Sequence, residues 1–206
     1  NKIAYLMGSG DKVPESLSLV GYEVDLLEKS DININKLENY DALIIGVRAF
    51  NSDKSLYNIK SQITEYMNGG GNVIVQYNTS RNIDVNKFAP YPFKLSRNRV
   101  SQEDAKVEII NKNHEVLNYP NKIRLEDFDG WVQERGLYFP VSWSNEYQTV
   151  ISSNDVGEDP NDGGILISKV GEGYFVYTSY SWFRQLPAGV GGAYKIFSNI
   201  LSLGKK

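Results

Sequence analysis

The stretch GGGNVIVQYNTSRN, residues 69–82, holds the pattern that decides the fold of this chain. Three glycines end the segment before it, NVIVQY is typical of a buried strand, and the chain then turns at Asn78. In many α/β enzymes the residue just past a central strand is the nucleophile. At that place this sequence has Gln76, Tyr77, Asn78, Thr79 and Ser80.

The residues before this stretch alternate between strand and helix patterns. They predict strands over 2–8, 23–28, 42–47 and 72–77, a short helix over 13–20 and a crossover helix over 55–68. This alternation favours a mainly parallel sheet with helices on both faces. In such sheets ligands bind outside the carboxyl ends of the strands, and Arg48, Asn51 and Asn78 follow two of those predicted ends.

The alternation breaks over residues 81–148, which contain four of the seven prolines, two of the three tryptophans and the only histidine. We predict an irregular insertion packed on the same α/β domain, so that residues 1–206 form one domain. Strands are predicted again over 149–153, 164–170 and 173–180, and a closing helix ends at Gly204. The chain starts at Asn1, directly before a strand pattern, which suggests a domain cut from a longer protein.

Composition excludes several classes of function. A net charge of −3 gives no electrostatic reason to expect nucleic acid or an anionic membrane as partner. No apolar run approaches the roughly 20 residues of a membrane span. The absence of cysteine excludes disulfides, thiol nucleophiles and thiolate metal sites. No cofactor is predicted, and the 14 tyrosines are compatible with carbohydrate contact, because their rings combine apolar area with a polar group.

A nucleophile at residues 76–80 would need a base within reach, usually a histidine. Thr79 and Ser80 are the hydroxyl candidates, and His114 is the only histidine. His114 lies in NKNHEVLNYP, a polar, loop-like stretch, so a turn histidine is the favoured interpretation over a catalytic base.

The stretch DFDGWVQERGLYFPVSW, residues 127–143, concentrates charged and aromatic residues. Asp129 and Glu134 could form a carboxylate pair for acid–base chemistry. The stretch could equally contact a polar, sugar-like ligand, or serve structure alone through ion pairs of Glu134 and Arg135 and through aromatic anchoring. The acids of SNDVGEDPNDGG, residues 153–164, lack the ligand alternation of a calcium loop, and no cluster has zinc spacing, so no metal site is predicted.

GGGNVIVQYNTS and the later GEGYFVYTSYSWFR together resemble the ThuA-like and class I glutamine amidotransferase-like fold, a flavodoxin-like three-layer α/β sandwich. Further phrases resemble the C-terminal domain that follows the catalytic domain in bacterial PIG-L/LmbE-type de-N-acetylases. They are DALIIGVRAFN, VIVQYNT, PYPFKLSRNRVSQEDAKV, NYPNKI, DFDGWVQERGLYFP and FRQLPAGVGGAYKIF. The resemblance implies a catalytic zinc-dependent de-N-acetylase domain as partner in the same polypeptide, and a location outside the cytoplasm, with a cytoplasmic location as the alternative.

Working amidotransferases of this fold carry a Cys at the elbow and a His-x-Glu pair after a late strand. In this sequence the elbow corresponds to Gln76–Thr79, and the segment after the late strand corresponds to Thr178–Trp182. Neither contains these catalytic residues, so the resemblance implies a degenerate site that is kept as a polar pocket. The candidate ligand-binding residues are Arg48, Asn51, Gln76, Asn78, Thr79, Trp131, Glu134, Arg135, Tyr180, Trp182 and Arg184.

Three hypotheses follow from these patterns. The first is a non-catalytic, carbohydrate-binding accessory domain of a deacetylase. The second is a hydrolase of glycan or amide substrates with an unrecognised carboxylate site around Asp129 and Glu134. The third is a scaffold that docks on the catalytic domain. A buried, ion-paired Glu134–Arg135 region favours the first or third, and an open carboxylate cleft favours the second.

Overall fold

The computed structural model describes residues 2–205, whose centre is a six-stranded sheet. Its strands, in chain order, are β1 (Lys2–Leu6), β2 (Glu23–Leu27), β3 (Ala42–Ile45), β4 (Asn72–Gln76), β5 (Ile165–Val170) and β6 (Gly173–Thr178). They lie in the order β5-β6-β4-β3-β1-β2, and every neighbouring pair is parallel except β5–β6. The four predicted strands before residue 80 and the mainly parallel sheet are therefore confirmed.

The sheet separates two layers of helices, because its side chains alternate between two faces. Ile3, Tyr5 and Ile44 pack on one face, in a core with α1 and α6. Leu43 and Ile45 pack on the other face, in a core with α2, α3 and α4. The helices are α1 (Val13–Leu19), α2 (Ile34–Leu37), α3 (Ala49–Ser52), α4 (Lys60–Asn68), α5 (Trp182–Gln185) and α6 (Gly191–Leu201).

The predicted crossover helix over 55–68 is only partly confirmed. Its first part, Lys54–Ile59, is a 3₁₀ helix. Asp53 caps its start, because the Asp53 carboxylate accepts a hydrogen bond from the Ser55 amide at 2.8 Å. The α-helix α4 then runs to Gly69. The spacing of the apolar residues fits an α-helix and a 3₁₀ helix equally, so it could not predict that the first part is a 3₁₀ helix.

The insertion is more regular and longer than predicted. It contains short antiparallel strand pairs, and the strand predicted over 149–153 is present as Ile151–Asn154, which pairs with Lys106–Ile109 outside the main sheet. The other pairs are Phe93–Leu95 with Pro140–Trp143 and Arg99–Val100 with Gly136–Leu137. The excursion that leaves β4 thus ends only at β5.

The two edges of the sheet differ. At the β5 edge, Gln148 of the insertion exchanges two backbone hydrogen bonds with Ile167, at 2.7 and 2.9 Å. The other edge is β2, whose Leu26 is 63% exposed. Beside it the Lys2 ammonium contacts the carboxylates of Glu23 and Asp25 at 3.0 and 3.2 Å.

The buried tyrosines predict a loss of stability in alkaline solution. Burial raises the pKa of Tyr66, Tyr147 and Tyr177, and that of Tyr180 to about 12. The tyrosines of the unfolded chain lose their protons at lower pH than the buried ones do. The free energy of unfolding should therefore be constant with respect to these groups below about pH 10 and should decrease above it, by up to ~1.4 kcal/mol per pH unit for each group. Urea unfolding across this range measures the slope. A constant free energy, or a slope that Tyr180→Phe does not reduce, would contradict the prediction.

Candidate functional site at the carboxyl edge

The turn after β4 is not a strand-to-helix elbow. No helix follows β4 directly, and the next helical element is the single 3₁₀ turn Val85–Lys87. The turn is held by its neighbours instead: the Thr79 amide donates to Asn51 Oδ1 at 2.7 Å, and the Asn78 amide donates to the Tyr177 hydroxyl at 2.9 Å. The predicted elbow geometry, which exposes a nucleophile, is therefore wrong here.

Two predicted pocket residues at this turn belong to the interior. Gln76 is 1% exposed, and its amide donates to the Tyr5 hydroxyl at 2.7 Å, which in turn donates to the Asp11 carboxylate at 2.7 Å. Burial is the main reason why the pKa of Tyr5 lies well above its usual value. Asn78 is fully buried and donates to the Gln76 carbonyl at 3.1 Å. A ligand on the surface would not reach either side chain.

The insertion crosses the same edge of the sheet, as the pocket hypothesis required. The Leu137 amide donates to the Ser179 carbonyl at 2.9 Å, and the Ser181 amide donates to the Arg135 carbonyl at 2.8 Å, just past the end of β6. Because β4 and β6 are neighbouring parallel strands, their carboxyl ends lie side by side, and the insertion covers them. The hydrogen bonds and ion pairs among residues 2–205 nevertheless join none of Trp131, Glu134 and Arg135 to the Gln76–Thr79 turn.

The predicted aromatic pocket residues form a core that anchors the insertion. Trp131, Tyr180 and Trp182 are at most 2% exposed and pack with their rings 5.4–5.9 Å apart. Each polar group is satisfied inside: Trp131 Nε1 donates to the Asp127 carbonyl and Trp182 Nε1 to Thr178 Oγ1, while the Tyr180 hydroxyl lies 3.0 Å from Ser153 Oγ. These contacts favour the structural interpretation over direct ligand contact.

Glu134 is buried between two arginines. Its Oε2 accepts from Arg99 at 2.9 Å, and its Oε1 accepts from Nε of Arg184 at 2.9 Å. The structural interpretation expected ion pairs for both Glu134 and Arg135, and Glu134 has them. Arg135 forms none within residues 2–205, because its guanidinium donates to the Ala105 and Phe128 carbonyls at 2.7 and 2.8 Å. Burial lowers the pKa of Arg135 from its usual value. Both oxygens of Glu134 are therefore held by arginines inside the protein.

Four residues of this edge have exposed or half-buried side chains, and they cluster with the ring of Tyr77, which is only 8% exposed. We call these five residues the edge patch: Arg48, Tyr77, Tyr138, Phe183 and Arg184. The Tyr77 ring stacks parallel to Tyr138 at 6.2 Å and lies 5.4 Å from Phe183. The Arg184 guanidinium lies 4.9 Å above the Phe183 ring. The Arg48 amide donates to the Tyr77 carbonyl at 2.8 Å, so the exposed Arg48 lies directly beside the cluster. Burial raises the pKa of Tyr77, while the charge of Arg48 lowers it.

Backbone strain also concentrates here. The four residues other than glycine that have positive φ within residues 2–205 are Arg48, Asn82, Gln133 and Tyr138. Arg48, at 56°, follows β3, and its amide donates to the Tyr77 carbonyl at 2.8 Å. Tyr138, at 55°, lies in the segment of the insertion that covers the edge. Such conformations cost roughly 1–3 kcal/mol each and collect at functional sites.

Sequence reasoning did not place Tyr77, Tyr138 or Phe183 among the ligand-binding residues. All three lie inside stretches that resembled the family, yet none has a local pattern that separates a surface aromatic residue from a core one. His114, in contrast, is the turn histidine that was favoured: its Nδ1 accepts from the Val116 amide at 3.1 Å, and burial lowers its pKa.

No group of three or more possible metal ligands occurs among residues 2–205. Within the same range no helix is long and apolar enough to cross a bilayer.

No family model and no curated protein matches the sequence. Solved structures do match the fold. A Salmonella typhimurium protein described as cytoplasmic is 15% identical, with a TM-score of 0.64 over 98% of each chain. A Thermoplasma acidophilum protein described as part of a GMP synthase is 11% identical, with a TM-score of 0.61 over 99% of this chain and 94% of that one.

A cold-adapted beta-galactosidase from Rahnella sp. R3 is also similar. It is 12% identical, with a TM-score of 0.60 over 98% of this chain but only 31% of the beta-galactosidase. Identities this low establish the fold alone. The glutamine amidotransferase-like, flavodoxin-like α/β fold predicted from the sequence is therefore confirmed.

The strain at Arg48 gives a stability prediction. Glycine adopts positive φ without a steric penalty, and the exposed Arg48 side chain contributes little packing. Arg48→Gly should therefore raise the free energy of unfolding by roughly 0.5–1 kcal/mol relative to Arg48→Ala, which keeps the strained conformation. Urea unfolding compares the two variants. Equal stabilities would show that the backbone at this position is not strained.

The ion pairs of Glu134 with Arg99 and Arg184 give a further stability prediction. Glu134→Ala should lower the free energy of unfolding by roughly 1–3 kcal/mol, because the guanidinium of Arg184 loses its buried partner. Arg99→Ala removes the more exposed arginine, whose side chain is 60% exposed, and should cost no more than about 1 kcal/mol. Chemical denaturation measures both. A larger loss in Arg99→Ala than in Glu134→Ala would contradict this assignment.

Proposed function

We propose that this domain is a non-catalytic accessory part of a longer, PIG-L/LmbE-type deacetylase, and that the edge patch binds carbohydrate. The proposal depends above all on one observation. Where working amidotransferases of this fold place their catalytic residues, this chain has the insertion and the stacked rings of Tyr77 and Tyr138.

The chemistry of the edge patch suits a sugar. Half-buried rings such as Tyr138 and Phe183 offer flat apolar area to the hydrophobic face of a pyranose. Arg48 beside them offers a guanidinium fork that donates to hydroxyl or carboxylate oxygens. The guanidinium of Arg184 is already engaged by Glu134 and Gln133, so it contributes charge beside the patch and no unused fork. Arg48 forms no ion pair within residues 2–205, so its donors are free for a ligand. The strained backbone at Arg48 and Tyr138 is consistent with a surface retained for recognition.

The comparison with beta-galactosidase supports an accessory role. In that protein, which is named for acting on a glycoside, a domain of this fold makes up 31% of the chain. The deacetylase itself, as the catalytic partner in the same polypeptide, is proposed only from the sequence resemblance. An extracytoplasmic location belongs to the same proposal, with a cytoplasmic location as its alternative.

The hydrolase alternative around Asp129 and Glu134 gains no support from the described contacts. Glu134 is buried and ion-paired, whereas Asp129 is exposed and the two carboxylates are not joined by any described contact. A buried, ion-paired Glu134 is what the accessory and docking hypotheses require. Between those two, the mixture of an arginine fork and tyrosine rings favours the saccharide.

Binding of N-acetylglucosamine oligomers and of a glycan array to the purified domain tests the proposal. Arg48→Ala should weaken binding of a retained glycan by roughly 1–3 kcal/mol, the usual loss for a charge-assisted hydrogen bond. Arg124→Ala, which removes an exposed arginine directly before the 3₁₀ helix Leu125–Phe128, should leave binding unchanged. If no glycan binds, but the domain binds its separately expressed catalytic partner in an Arg48-dependent way, the docking hypothesis replaces this one.

The same protein should release neither ammonia from glutamine nor acetate from N-acetylglucosamine derivatives. Turnover above a blank that disappears in Glu134→Gln would revive the hydrolase alternative.

A further inference from the structure

The face of the molecule beside α4 carries a basic groove that the proposed function does not use. The two adjacent cavities here measure about 630 and about 740 Å³ and share Tyr57, Asn58 and Lys60 in their walls. This size lies within the range of ligand sites, roughly 300–1,000 Å³. Lys54, Asn86 and Lys87 complete the larger cavity. We call these six residues the lysine groove.

The central ring of the groove is fixed in place. Tyr57 stacks on Phe50, with ring centres 5.7 Å apart and an interplanar angle of 8°. Its hydroxyl accepts a hydrogen bond from the Asp84 amide at 3.1 Å. The ammonium groups of Lys54 and Lys87 each lie 5.6 Å from the centre of the same ring. A ring held in this way costs little conformational entropy when a ligand contacts it.

The positive charge of the groove is poorly neutralised by the protein. The Lys54 ammonium donates to the carbonyls of Phe50 and Asn82, and the Lys60 ammonium donates to the Asn86 carbonyl at 2.7 Å. These carbonyls are neutral groups. Within residues 2–205 the one ion pair of the three lysines is that of Lys87 with Asp84, at 3.9 Å between exposed side chains. Two cations over the Tyr57 ring, with that of Lys60 in the wall of the same cavity, therefore attract an anion.

We propose that the lysine groove binds a carboxylate-bearing oligosaccharide. Charged groups spaced along a short chain would contact the ammonium groups, while a pyranose ring would pack beside Tyr57. Nucleic acid fits less well, because the groove offers one aromatic ring rather than a series on which bases could stack. The net charge of −3 also opposes a long polyanion, whereas a short chain experiences chiefly the charges within about 8–10 Å. This inference does not depend on the edge patch.

Isothermal titration calorimetry with a galacturonic acid hexamer tests the inference. The hexamer should bind, its affinity should fall as salt rises, and its fully methyl-esterified form should bind at least about tenfold more weakly, since it keeps the chain but loses the charges. Lys60→Gln/Lys87→Gln should weaken binding of the charged hexamer by at least about tenfold. The matched control Lys112→Gln/Lys169→Gln, which changes the same charge at exposed lysines elsewhere, should bind as the unmodified domain does.

Circular dichroism and urea unfolding of both double variants verify that they fold. The inference is overturned if the charged hexamer does not bind, if its methyl ester binds equally well, or if the groove variant matches the control. Equal or tighter binding of a single-stranded DNA hexamer would also overturn it, because the groove would then be a general anion surface rather than a saccharide site.

Discussion

The parallel pairing of β4 with β6 is the constraint on which the rest of this structure depends. Gln76 lies opposite Thr178, although nearly half of the chain separates them. Closing so long an excursion costs little more than closing a shorter one, because the entropy of closure grows only logarithmically with length. The excursion starts at the carboxyl end of β4 and re-enters through the antiparallel β5, so its segments must pass over the carboxyl edge. In parallel α/β sheets ligands bind outside this edge, and here it carries a packed cover.

The sheet could be predicted from the sequence because its signals are local. Ala42–Ile45 and Asn72–Gln76 are short, continuous segments buried on both faces, and such segments predict parallel strands at once. The site could not be predicted in this way. Glu134 is bound by Arg99, 35 residues before it, and by Arg184, 50 residues after it, while its sequence neighbour Arg135 points to backbone carbonyls. No spacing rule distinguishes these partners, and burial rather than residue type decides which aromatic residues reach the surface.

The overall charge of a protein and the charge of one of its surfaces answer different questions. A net charge of −3 argued against anionic partners, and that argument holds for extended ones. Screening in water limits a short ligand chiefly to the charges within about 8–10 Å of it. On the face beside α4 those charges are lysines held by carbonyl oxygens. Composition averages this arrangement with the acidic remainder of the chain and so conceals it.

The outer strand β2 has a consequence for how copies of this molecule behave at high concentration. An unpaired strand edge is a template for strand addition, and the exposed Leu26 would favour it. Glu23 and Asp25 alternate with the apolar residues of that strand, and the side chain of Lys2 bridges them. Joining two such edges would desolvate all of these charges at once. The ion pairs of β2 therefore act less as a source of stability than as a barrier to aggregation.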